Sequence, residues 1–163
     1  MSPDRTRRRV ILAMFVRRSV HALRAQRERL LAPDHPAAFD LDFYAYAAWQ
    51  LREAVRQGAT RLALADLTPI LRDLDAGLPY LKTYRDVMTH AVDDGIDGWF
   101  WFSTDVVRQV SQDTMEYLID ARENHAFLED VAAQAISVLD PTGSIDGKWG
   151  PLADGRPLSL IHI

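Results

Sequence analysis

Leu78-Pro79-Tyr80-Leu81-Lys82-Thr83-Tyr84-Arg85-Asp86-Val87-Met88-Thr89-His90-Ala91-Val92 is the stretch on which the reading of the fold turns. Pro79 stands where a first helical residue belongs, because its missing N–H would have no helical partner there anyway. Leu81, Tyr84, Met88 and Ala91/Val92 then recur at helical spacing and give the segment one face for a core. Arg85 and His90 flank that stripe, with Asp86 directly after the arginine. Five residues along a helix is a rotation of about 140°, so the two side chains border a groove rather than stacking as an i,i+4 pair.

The same periodicity extends to both sides. Leu12, Val16, Val20, Leu23 and Leu30/Leu31 fall at three- and four-residue steps from Arg9 to Leu31, with arginines on the other faces. This predicts a long first helix, preceded by a frayed segment 1–8 and ended by Pro33-Asp34-His35-Pro36. Asp40 or Asp42 caps a second helix reaching about Gln57, where Gly58 stops it. Arg61 to Asp75 reads as a third helical stretch, with a cap-and-restart at Thr68-Pro69, and Ala76-Gly77 closes it. After a turn-rich loop at 93–98 come the aromatic run Trp99-Phe100-Trp101-Phe102 and a hairpin built from 106–110 and 115–119. Asp120 or Asn124 then caps a last helix to Leu139, with Phe127, Leu128, Val131, Ala135 and Val138 as its face. Asp140-Pro141-Thr142-Gly143 ends that helix. The expected fold is mainly α, an up-and-down bundle of four or five helices with a small β-hairpin before the last helix.

Length and composition agree with one domain over residues 1–140, followed by a tail at 141–163. Of the 163 residues, 48% are hydrophobic and 26% charged, the balance of a globular chain. Val10 to Val16, the longest apolar run, is too short to span a bilayer, so no membrane association is expected. With no cysteine, thiol catalysis, disulfides and thiolate metal sites are excluded, and the expected location is cytoplasmic. Charge is split unevenly, at +7 over residues 1–31 and −11 over the remainder. A basic segment of this kind is either a nucleic-acid arm or a helix docked on the acidic body or on a partner. The last six residues, Leu158-Ser159-Leu160-Ile161-His162-Ile163, are what the mosaic-end adapter of a transposase sequencing library encodes. They are therefore read as a processing scar and left out of the fold.

Arg85-Asp86-x-x-x-His90 resembles the signature of the HEPN superfamily, in which an arginine, then Asn, Asp or His, then a histidine four to six residues after the arginine lie on a late helix. The resemblance covers roughly residues 39–92; the later part is similar to actinobacterial proteins in which such a motif helix precedes a hairpin. Asparagine is the commoner second residue, and the tyrosine that one toxin subgroup carries two places after the histidine is Val92 here. What the resemblance implies is a metal-independent endoribonuclease of a toxin or defence type, without cofactor, whose two protomers juxtapose their motifs in a homodimer. Arg85 would then hold the scissile phosphate, His90 would act as general acid/base, and Asp86 would orient one of them. The contrasting class is a non-catalytic interaction module, an inactive HEPN-like or antitoxin-like partner protein, which would use the acidic body and the run Trp99–Phe102. His90 with Asp93, Asp94 and Asp97 reads as a solvated loop rather than a metal site. Glu123-Asn124-His125 reads as helix capping, and His21 is placed beside arginines on the exposed side of the first helix.

Overall fold

A computed structural model of the protein describes residues 3–32, 38–79, 81, 99–102, 106–110 and 116–145. It is mainly helical. Its four helices are α1 (Pro3–Leu30), α2 (Ala38–Thr60), α3 (Leu67–Gly77) and α4 (His125–Leu139). Three short segments, β1 (Trp99–Phe102), β2 (Val106–Val110) and β3 (Glu116–Asp120), form an antiparallel sheet in that order. Trp99 is paired with Val110, and Val106 with Asp120. Among the described residues no helix is long and apolar enough to cross a membrane.

α1 begins six residues earlier than the sequence pattern predicts. Pro3 suits an N-terminal position, Asp4 is in the first turn where the helix dipole favours a carboxylate, and Arg8 pairs back to Asp4 at 2.9 Å. Arg5 also ties this turn to the body, donating to the Leu62 carbonyl at 2.6 Å. Residues 3–8 are therefore helix, not a frayed end. From Leu12 onward one side of α1 goes inward: Leu12, Ala13, Val16, Val20, Leu23 and Leu30 are all buried.

α2 runs back along α1, bringing Asp40 to within 3.6 Å of Arg29 and Gly58 beside Leu12. Gly58 does not stop the helix, which continues to Thr60. A Cβ at Gly58 would lie 2.3 Å from Leu67 Cδ1 and 3.5 Å from Leu139 Cδ2, so the glycine is there for close helix packing. Arg61 to Asp66 is a connection rather than helix, and Pro69 falls in the first turn of α3, where no internal bond is lost. Leu67, Ile70 and Leu74 of α3 join Leu51 and Val55 of α2 and Leu128, Val131, Ala135 and Leu139 of α4 in one core. Leu78 and Leu81 are also buried there, Leu81 donating its N–H to the Leu78 carbonyl.

The turn after α2 carries one backbone strain. Ala63 has φ 49°, the left-handed region, with the Leu64 N–H reaching back to the Gly58 carbonyl at 3.1 Å. Helices commonly end with such a residue, and glycine is the usual occupant because a Cβ is penalised there. Ala63→Gly is expected to stabilise the fold by about 0.5–1 kcal/mol, seen as a higher melting temperature in thermal denaturation. An unchanged or lower melting temperature would contradict this account.

Candidate functional site

Polar side chains on α1 are divided between two jobs. One set faces inward and neutralises the body. Arg9 donates to the Val138 carbonyl in the last turn of α4 at 2.5 Å, where a cation complements the helix C-terminus. Arg24 donates to Glu129 at 2.5 Å, and Arg17 is buried, with Asp140 supplying opposing charge. The basic helix is thus a core element docked on the acidic body rather than an arm held away from it.

The Arg24–Glu129 pair continues to a buried histidine. His125 Nε2 is 3.3 Å from Glu129 Oε1, and its Nδ1 is 3.3 Å from the buried Tyr44 hydroxyl. Burial pushes the His125 imidazole below its ordinary value. The Glu129 carboxylate opposes this, and the Arg27 and Arg24 guanidinium groups reinforce it. His21, half-buried rather than on the exposed side, is lowered by burial and then by Arg24 and Arg17. Both rings therefore favour the neutral form in the native state. The stability they contribute is complete above the unfolded value of about 6.5 and is lost as pH falls through the lower folded values. Melting temperature should drop between pH 7.5 and pH 5.5, and His125→Gln should flatten that drop. A slope unchanged by the substitution would rule this out.

The second set faces outward with apolar company. Ile11 is 40% exposed, Met14 38% and Phe15 48% on α1, and Phe43 57% and Tyr46 49% on α2. These are the exposed large hydrophobic residues of the described part, and all five are on the α1–α2 pair. Half-buried Trp49 links the two groups. Its ring is 5.5 Å from that of Tyr46, and it lines a groove of about 180 Å³ with Phe15, Gln50, Glu53, Ala54 and Gln57. Glu53 is held below the usual carboxylate range chiefly by the Arg56 hydrogen bonds, so it stays charged on the groove wall.

A wider cleft of about 370 Å³ opens at the other end of the pair, between Asp4, Arg5 and Arg8 of α1 and Arg61, Leu62 and Ala63. Arg5 is committed there to the Leu62 carbonyl and Arg8 to Asp4. Among the described residues no group of three or more histidine, aspartate or glutamate side chains could hold a metal ion.

Arg85, Asp86 and His90, the residues singled out by sequence, lie outside the described residues, as does the loop Asp93, Asp94 and Asp97. The aromatic run Trp99–Phe102 is described in its backbone alone, where it forms β1. Sequence reasoning took His125 for part of a helix start and missed its partners. The available signal was the i,i+4 spacing of His125 and Glu129, which puts both on one face of α4. The exposed face is hidden in the sequence because Phe43, Tyr46 and Gln50 fit helical core spacing as well as Tyr44, Ala47, Ala48 and Leu51, which are the residues actually buried. No protein-family model, curated protein or solved structure matches the chain.

Proposed function

We propose that the protein is a helical interaction module that docks a partner protein through the outer face of α1 and α2. The observation carrying this reading is the concentration of Ile11, Met14, Phe15, Phe43 and Tyr46 on that face. Contiguous apolar exposure on a folded chain marks an interaction surface, and aromatic anchors beside a groove are what such surfaces use. A photo-crosslinking phenylalanine analogue at position 43 should give a discrete heavier adduct in the producing cells, and one at exposed Gln134 on α4 should not. Equal adducts from both positions, or none from either, would count against the reading.

A second reading rests on the spacing Arg85-Asp86-x-x-x-His90. Under it the chain is a HEPN-like endoribonuclease of a toxin or defence type working without metal in the cytoplasm. Arg85, a permanent planar cation, holds the phosphate, His90 moves the 2′-hydroxyl or leaving-group proton, and Asp86 orients one of them. A homodimer completes the cleft, since the two side chains are about 140° apart on one helix. Single-stranded RNA incubated with the purified chain in EDTA should then yield 2′,3′-cyclic phosphate ends, and Arg85→Ala or His90→Ala should abolish cleavage. Intact RNA in that assay, with a monomeric chain, would eliminate the ribonuclease and leave the interaction module, antitoxin-like or inactive HEPN-like. In either case the architecture we favour is an up-and-down bundle with the β2–β3 hairpin inserted before α4.

A further inference from the structure

We infer that the α1–α2 face is shaped and charged for one kind of occupant, an acidic amphipathic helix of a different protein. This rests on the interaction reading above and deepens it.

The argument begins with a row of arginines. Arg7, Arg18 and Arg29 are exposed and stand eleven residues apart. Eleven residues are three helical turns with a drift of about 20°, so the three line the outer side of α1 at intervals of about 16 Å. Arg29 faces Asp40 at 3.6 Å. Arg7 and Arg18 take part in no hydrogen bond or ion pair among the described residues. Between these two arginines, on the same side of the helix, come Ile11, Met14 and Phe15. The apolar stripe then crosses to Trp49, Tyr46 and Phe43 on α2.

A row of cations along an apolar stripe is complemented by carboxylates along an apolar stripe. A second copy of this chain does not supply that, because the α1 face would meet the same arginines, and like charges brought together oppose docking. The groove between Phe15 and Trp49 is concave, and so receives a side chain projecting from a ridge, as helix-in-groove recognition requires.

The probe is a synthetic 18-residue helical peptide with leucines at i, i+4, i+7 and i+11 and glutamates eleven residues apart on one flank, compared with a twin carrying lysines instead. Fluorescence anisotropy should show the glutamate peptide binding the full chain, with at least tenfold loss in an Arg7→Glu/Arg18→Glu variant and a further loss as salt is raised. That variant should in turn prefer the lysine peptide. Phe15→Ser, at an exposed position, should remove binding of the glutamate peptide while leaving the helical circular dichroism unchanged. Equal binding of the two peptides by the unmodified chain overturns the acidic partner but leaves helix docking in place. No binding of either peptide, or binding to phosphatidylglycerol vesicles in their stead, overturns the inference. The interaction reading itself stands or falls separately on the crosslinks from position 43.

Discussion

A chain that starts at Asp34 is expected not to fold. The uneven charge makes residues 1–31 look detachable, and removal of a nucleic-acid arm would leave the remainder intact. The buried positions say otherwise. Leu12, Val16, Val20, Leu23 and Leu30 are each almost inaccessible, and α1 packs against both α2 and α4. Burying a side chain of this type contributes about 1.5–3 kcal/mol, so these five account for about 8–15 kcal/mol, as much as the whole net stability of a typical domain. The truncated chain would also expose Tyr44, Leu51 and Val55, whose environment α1 helps close. Circular dichroism should show loss of most helix in the chain shortened to Asp34, together with aggregation at micromolar concentration. A cooperative thermal transition in that shortened chain would show that α1 is dispensable.

The parts of the fold that could be read from sequence are those set by apolar periodicity. The inward side of α1 and the stripe of α4 through Leu128, Val131 and Ala135 follow from which residues avoid water. Periodicity is silent about which polar side chain meets which across the fold. Arg24 and Glu129 are 105 residues apart, and nothing local to either identifies the other. Spacing alone therefore left open whether the arginines of α1 meet nucleic acid, a partner or the acidic body; Arg9, Arg17 and Arg24 are turned to the body. Glycine was ambiguous for a related reason. Gly58 satisfies the rule for a helix stop, yet it also satisfies the need for a small residue under Leu67, and only the packing separates the two. The candidate chemistry at Arg85, Asp86 and His90 was legible as spacing alone, and it lies outside the described residues.

Replacing Asp140 with alanine is expected to destabilise the protein by about 1–3 kcal/mol, a large effect for a residue that the sequence marks only as the end of a helix. Its carboxylate is buried just past α4 and organises the turn that follows. Oδ1 accepts from the Ser144 N–H at 3.0 Å and from the Ser144 hydroxyl at 2.7 Å, with the Thr142 hydroxyl at 3.3 Å. Oδ2 accepts from the Ile145 N–H at 2.9 Å, which seats the Ile145 side chain in the core. The alanine leaves the buried Ile145 N–H and the turn donors at Ser144 without their acceptor, and removes a carboxylate that opposes the charge of buried Arg17. A Thr142→Val change removes one long bond and should cost far less. Burial by itself would raise the Asp140 carboxyl. The Ile145 N–H and the Ser144 hydroxyl and N–H outweigh it, and hold the group below its ordinary value. A carboxylate lowered in the native state contributes stability that is complete above the unfolded value of about 3.9 and is lost as pH falls through the folded one. The acid limb of the wild-type stability curve below about pH 4 should therefore be steeper than that of Asp140→Asn, which has no such proton to take up. Arg17→Met in the Asp140→Ala background should recover part of the loss, because it removes a buried cation along with the carboxylate that opposed it. Strictly additive single and double changes in urea denaturation would show that Arg17 and Asp140 do not act as a pair.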